Sequence, residues 1–265
     1  MKVEYGSFKY KLLVAMMLAG EYPYKSLDLC RESDARKKNS ISELKNAGII
    51  TTATAYDIKR IRFKMFNKRK GEFADELFDG GAEYKPDIHE NGLSRLERKD
   101  RIAEIIIMML EAGINVTPDS KPKPDCEKAL EQNASCLPYF ITSREAREAI
   151  TIKEDKGKGA RFHGTLVSAG GMYNIYNMGS IKMGWIRPAE KTAIDFNEQY
   201  QKRMIPWGNN YAEWYGKSAI ILSRNLCYIN DFIKGKIDLR GCDNISSRNK
   251  VDINDYYEHT FYLPL

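Results

Sequence analysis

Histidine is scarce in this chain. His89, His163 and His259 are the three present, and no two stand at metal-ligand spacing. A zinc centre built on paired histidines is therefore not expected. His163 reads as a packed histidine rather than as a base. Cysteine is little more frequent, at 30, 126, 136, 227 and 242, with no C-x-x-C pair and an odd total. That argues against both a zinc ribbon and a disulfide framework. Long apolar runs are missing too. The N-terminal run Leu12–Ala19 is eight residues, far short of a membrane span, and no small-residue cleavage site follows it. A reduced, cytoplasmic protein with no membrane partner is expected. The phosphate-cradling G-x-x-x-x-G-K-[ST] run is also absent, since Gly157-Lys158-Gly159 does not extend to it. No cofactor is expected.

What the chain does have is charge in one place. The formal net charge of the 265 residues is +6. Residues 31–70 hold twelve Lys/Arg against four Asp/Glu, which is +8 and leaves about −2 for the rest. Basic charge gathered in one region is the footprint of a phosphate-binding surface. Inside that region lies Ser33–Arg62. A helix over Asp34–Asn46 is capped by Ser33, favoured by Asp34 in its first turn, and closed by Gly48. Two β-prone runs, Ile49–Thr54 and Asp57–Lys64, follow around Ala55-Tyr56. Upstream, Leu12, Leu13, Met16 and Met17 stand at helical spacing before Gly20, and a short second helix is expected over Tyr24–Cys30.

Three helices and a hairpin read as a winged helix-turn-helix over residues 1–66. Ile41, Leu44 and Ala47 are expected to face its core. Arg36, Lys37, Lys38, Asn39, Ser40, Glu43 and Lys45 are the candidate DNA-reading residues of the third helix. Lys59, Arg60, Arg62 and Lys64 are the candidate wing contacts to the DNA backbone. On this reading, replacing Lys37 and Arg60 by alanine weakens duplex binding and leaves the fold intact.

Residues 67–92 read as a connector with one or two helical turns over Gly71–Phe78, and 93–265 as a helix plus a mixed α/β domain. Ser94-x-x-Glu97 and Thr142-x-x-Glu145 have the capping-box pattern. Strands are expected over Phe162–Ser168, Tyr173–Asn177, Lys182–Ile186, Ser218–Leu222 and Thr260–Leu265, with helices from Pro188 and over Leu226–Lys234. The expected class is α+β. The winged helix is followed by a mixed domain related to a catalytically degenerate restriction-endonuclease-like fold. Nucleases of that fold need an acid on one strand and an acid-x-Lys on the next to hold a metal. Tyr173–Asn177 and Lys182–Ile186 contain neither Asp nor Glu, and Glu154-Asp155-Lys156 falls in a Gly/Lys loop. An enzyme is not expected. In that loop Lys153, Lys156, Lys158 and Arg161 are candidate phosphate-binding residues.

The segments RIAEIIIMMLEAGINV (101–116), YFITSREAREA (139–149), KGARFHGTLVSAGGMYNIYNMG (158–179) and MGWIRPAEKTAI (183–194) carry a fingerprint. It consists of Ser-Arg-Glu, Gly-Ala-Arg…Gly, Tyr-Asn and Trp…Glu. With this pattern the chain resembles uncharacterised winged-helix proteins of Firmicute conjugative transposons and plasmids, similar in layout to replication-relaxation proteins. The polar stretch Asp238–Asp255 departs from the pattern. The resemblance implies a DNA transaction of a mobile element. The expected function is a DNA-binding accessory or regulatory protein in replication, transfer or transcription control. Double-stranded DNA is the expected partner, with the C-terminal domain available for a protein partner or for homodimerisation. The alternatives are an interaction module that binds or inhibits a host or element protein, and a cryptic metal-dependent nuclease.

Overall fold

The computed structural model describes residues 3–64, 66–78, 92–121, 137–149, 162–168, 171–180, 191, 193–198, 218–233 and 257–265. The chain is mixed α+β and divides into two compact units, Met1–Ser120 and Lys121–Leu265.

The first unit is built around helix α1, Phe8–Ala19. Leu12 through Ala19 are all buried, so this helix is covered on every side rather than along one stripe. Its ends are sealed locally. The Ser7 hydroxyl accepts the Tyr10 N–H, and Gly20, at φ 91°, returns its N–H to the Met16 carbonyl. Strand β1, Glu21–Pro23, comes next, then a 3-10 helix over Tyr24–Leu29 where the pattern predicts an ordinary short helix. Helix α2 is Asp34–Asn46. Strands β2, Ile50–Ala55, and β3, Ile58–Phe63, form an antiparallel hairpin. Strand β1 adds to β3 on its other side, giving the order β1-β3-β2.

Two more helices complete this unit, and both revise the sequence expectation. Helix α3, Phe66–Leu77, occupies much of what reads as connector; its Phe73 stacks on Phe63 at 4.5 Å between ring centroids. Helix α4, Leu93–Glu111, belongs to the first unit and does not open the second. It packs on α1 and β1. Its apolar face, Ala103, Ile106 and Ile107, is buried. Its polar residues find partners there too. Ser26 donates to Glu104, Lys11 pairs with Glu111 at 3.0 Å, and Arg60 pairs with Asp100. Ser94 does not cap this helix. Gly92 stands at the N-cap, and Glu97 pairs instead with Arg101, one turn on.

The second unit holds a five-stranded sheet. Its strands are β4, Tyr139–Thr142, β5, Gly164–Ser168, β6, Gly171–Asn177, β7, Ser218–Ser223, and β8, His259–Pro264. They lie in sequence order. β4–β5 and β5–β6 are antiparallel, β6–β7 and β7–β8 parallel. Helix α5, Ser143–Ala149, starts directly from β4. Glu145 accepts the Thr142 N–H at 2.8 Å, and the Thr142 hydroxyl accepts the Glu145 N–H. This is the reciprocal capping box its spacing announces. Lys121 locks the corner by donating to Glu145 and to the Phe140 carbonyl. Helix α6 covers residues 193–198, and α7 is Leu226–Ile233. Strand β4 has no counterpart in the sequence reading, and the expected strand Lys182–Ile186 lies outside the described residues. Tyr139, Val167, Tyr176, Phe196 and Ile221 form part of the core of this unit.

Candidate nucleic-acid interface

Helix α2 is fixed in rotation by what it buries. Ile41 and Leu44 face inward, as their spacing predicts. Lys37 and Ser40 are buried beside them, and Ala47 is exposed. The helix is therefore turned from the phase that an Ile41–Leu44–Ala47 seam implies. Lys37 can lie inside because its stem is apolar and its ammonium group is satisfied. It donates to the Leu27 carbonyl at 2.9 Å and lies 3.2 Å from Asp34. Lys37 thus ties α2 to the 3-10 segment, and with Ser40 it leaves the candidate DNA-reading face.

The surface that α2 presents is Ala35, Lys38, Asn39, Ser42 and Asn46, with Arg36, Glu43 and Lys45 also exposed. Arg36 pairs with Glu32 at 3.5 Å, and Glu43 accepts from Lys9. Ser42 and Asn46 do not stand out in the sequence. Their place follows from spacing once Lys38 and Asn39 are known to face out. Small polar side chains around one lysine leave room for close approach to a groove, and they can donate and accept along it.

In the hairpin, Lys59, Arg62 and Lys64 are exposed. Lys59 lies over the Tyr24 ring at 4.4 Å. Arg60 behaves differently from its neighbours. It is 1% exposed. Its Nε donates to Asp100 Oδ1 at 2.9 Å, its Nη2 to Oδ2 at 2.8 Å, and its Nη1 to the Ala55 carbonyl at 3.0 Å. The Asp100 carboxylate holds the guanidinium pKa above its ordinary value, against the opposing effect of burial. Arg60 is a latch between the hairpin and α4, and the expectation that it contacts phosphate is withdrawn. For the same reason, alanine at 37 and 60 would damage the fold as well as any surface.

No family model, no curated protein and no solved structure matches this chain. The geometry of the two units is what bears on function.

The hairpin turns through Tyr56 and Asp57, one residue later than the sequence reading places it. Both have positive φ, 51° and 59°, and Tyr56 is 55% exposed. Beneath the sheet, burial dominates titration. The Cys30 thiol is pushed up to about 11, first by desolvation, with the charge of Glu111 adding. Tyr22 is raised well above its ordinary value, again chiefly by burial.

In the second unit the basic loop with Lys153, Lys156, Lys158 and Arg161 lies outside the described residues. His163 is buried, and its Nδ1 accepts the Asn177 N–H at 3.1 Å, so that nitrogen carries no proton. The Thr165 hydroxyl donates to Asn174 Oδ1 at 2.8 Å, and Asn197 Nδ2 donates to the same oxygen at 3.1 Å. Asn174 Nδ2 in turn donates to the Tyr257 hydroxyl, which meets that of Tyr176 at 2.7 Å. This network is uncharged and buried. Among the described residues, no group of His, Cys, Asp and Glu could hold a metal ion, and no helix is long and apolar enough to cross a membrane.

Proposed function

We propose that the first unit is a winged helix that binds duplex DNA, with α2 as its recognition helix and the β2–β3 hairpin as its wing. The observation that carries this reading is the sorting of charge by burial. Lys37 and Arg60 are drawn inside and neutralised by Asp34 and Asp100. Arg36, Lys38, Lys45, Lys59, Arg62 and Lys64 stay exposed along the same two elements, against exposed Glu43 and Asp57 once Asp34 is counted with Lys37. A surface that keeps this excess after its internal pairs are removed suits a polyanion. The order β1-β3-β2 with α2 ahead of the hairpin supports the same assignment.

The second unit acts as a scaffold related to the restriction-endonuclease-like fold, without its chemistry. Strands β4 to β8 contain no Asp, Glu or Lys. Thr165 and Asn174 face each other across β5 and β6, where such a nuclease would need carboxylates. Together the two units fit an accessory or regulatory DNA-binding protein of a mobile genetic element, which is what the family resemblance implies. The test is retention of labelled duplex by the full chain and by a Lys38→Ala/Arg62→Ala variant. Weaker retention at unchanged melting temperature supports the reading. Equal retention removes α2 and the hairpin from the interface.

A further inference from the structure

The tip of the β2–β3 hairpin is built against local preference. Ala55 pairs with Ile58, so Tyr56 and Asp57 alone make the turn. Turns of two residues with positive φ at both strongly favour Asn-Gly. An aromatic residue with positive φ is uncommon and costs energy. Here the position instead carries a large side chain that stays 55% exposed. The arm holding it is stiff. Arg60 Nη1 grips the Ala55 carbonyl, the residue just before Tyr56, while Asp100 holds the other two nitrogens of the same guanidinium. A strained turn of this kind, held at Ala55, keeps the backbone that carries the ring in one place.

Charge around the tip restricts what that ring can meet. Lys59, Arg62 and Lys64 are exposed on the same arm, suited to a nucleic-acid backbone. Asp57 at the tip itself is exposed and acidic. A carboxylate there opposes entry into the narrow groove of a closed duplex, where two rows of phosphates concentrate negative potential. A closed duplex also offers only base edges in its grooves. The face of an unpaired base is open to an aromatic ring where a strand is single.

We infer that Tyr56 stacks on an unpaired base, so that the preferred ligand is DNA with a junction between duplex and single strand. Helix α2 and the basic residues of the arm hold the duplex side, and Tyr56 caps the first open base. This rests on the DNA-binding reading above and narrows its ligand.

The test uses the full chain and DNAs of one length: a blunt duplex, the same duplex with an unpaired arm, and the single strand. Binding is followed by fluorescence anisotropy, with 2-aminopurine as the first unpaired base to report stacking. The wild type should bind the armed duplex roughly tenfold more tightly than the blunt one and quench the 2-aminopurine. Tyr56→Ala should remove that preference and the quenching, leaving blunt-duplex affinity as it was. Tyr56→Phe should keep both. Tyr56→Asn with Asp57→Gly should raise the melting temperature by relieving the turn, yet lose the preference as Tyr56→Ala does. Equal wild-type affinity for blunt and armed duplexes, or an armed-duplex preference unchanged in Tyr56→Ala, overturns the inference and leaves duplex binding standing. Absence of salt-sensitive binding to any of these DNAs overturns both.

Discussion

Replacing Arg60 by alanine separates a structural arginine from a phosphate-binding one. The substitution deletes the two hydrogen bonds to Asp100 and the one to the Ala55 carbonyl. It also strands the Asp100 carboxylate, whose side chain is 8% exposed. Removing one partner of a buried ion pair typically costs about 3–5 kcal/mol. Truncating a solvated arginine that meets only phosphate would change the stability of the free protein by roughly half a kcal/mol or less. A domain has only about 5–15 kcal/mol in all, so the first unit should lose a large share of its stability. Its melting temperature should fall by about 10–20 °C. The assay can watch each unit separately. Amide hydrogen exchange followed peptide by peptide reports each unit by itself, while far-UV circular dichroism reports both. Arg60→Ala should move the dichroism transition down and speed exchange in α4 and the β2–β3 hairpin, leaving exchange in β4 to β8 as it was. Arg60→Met with Asp100→Leu should recover much of the loss, because no buried charge is then left alone. An Arg60→Ala protein as stable as the wild type would refute the latch and return Arg60 to the DNA-contact set.

The other predictions probe different links. A Cβ at Gly164 would run into the Phe140 ring and the Ile141 carbonyl oxygen. Gly164→Ala should therefore cost about 3 kcal/mol or more and speed amide exchange in β4 to β6 instead; unchanged exchange there would show that β4 and β5 are not packed this closely. The Cys30 thiol, raised from an ordinary 9.0 to about 11 by burial, is disfavoured as thiolate in the fold. Its stability contribution is therefore complete below about pH 9 and is lost as pH rises through 9 to 11, up to about 2–3 kcal/mol. Tyr22 is shifted in the same direction and adds to the alkaline loss. The urea midpoint of the first unit should fall between pH 8 and 10.5, less so in Cys30→Ala, and a flat profile would contradict the burial. Ser33→Ala removes the hydroxyl that accepts the Arg36 N–H and should cost about 1 kcal/mol, read in the dichroism transition; no cost would mean that this cap is not formed in solution.

Elements governed by near neighbours were legible in the sequence. The apolar spacing of Leu12–Met17 marked α1, and Ser33 and Gly48 bracketed α2. Thr142 and Glu145 marked the start of α5, and the apolar runs read at 218–222 and 226–234 marked β7 and α7. What escaped depends on distant partners. Strand β1 is three residues long and exists because β3, forty residues on, pairs with it. Arg60 looked like one more wing cation because Asp100 lies forty positions away, on a helix that itself read as part of the other domain. Lys37 and Ser40 read as solvent-facing because lysine and serine are mostly exposed. The Leu27 carbonyl that satisfies Lys37 belongs to a separate segment. The turn at Tyr56-Asp57 lacks the glycine or asparagine that would have announced it.

The proposed function requires that the exposed residues of α2 and of the hairpin meet phosphate. It is tested most directly by the salt dependence of duplex binding, measured by anisotropy over a range of KCl for the wild type and for Lys38→Ala/Arg62→Ala. Log affinity should fall linearly with log salt, with a slope shallower by about 0.9 for each phosphate that the variant no longer neutralises. An identical slope and affinity in the variant, at an unchanged melting temperature, would contradict it.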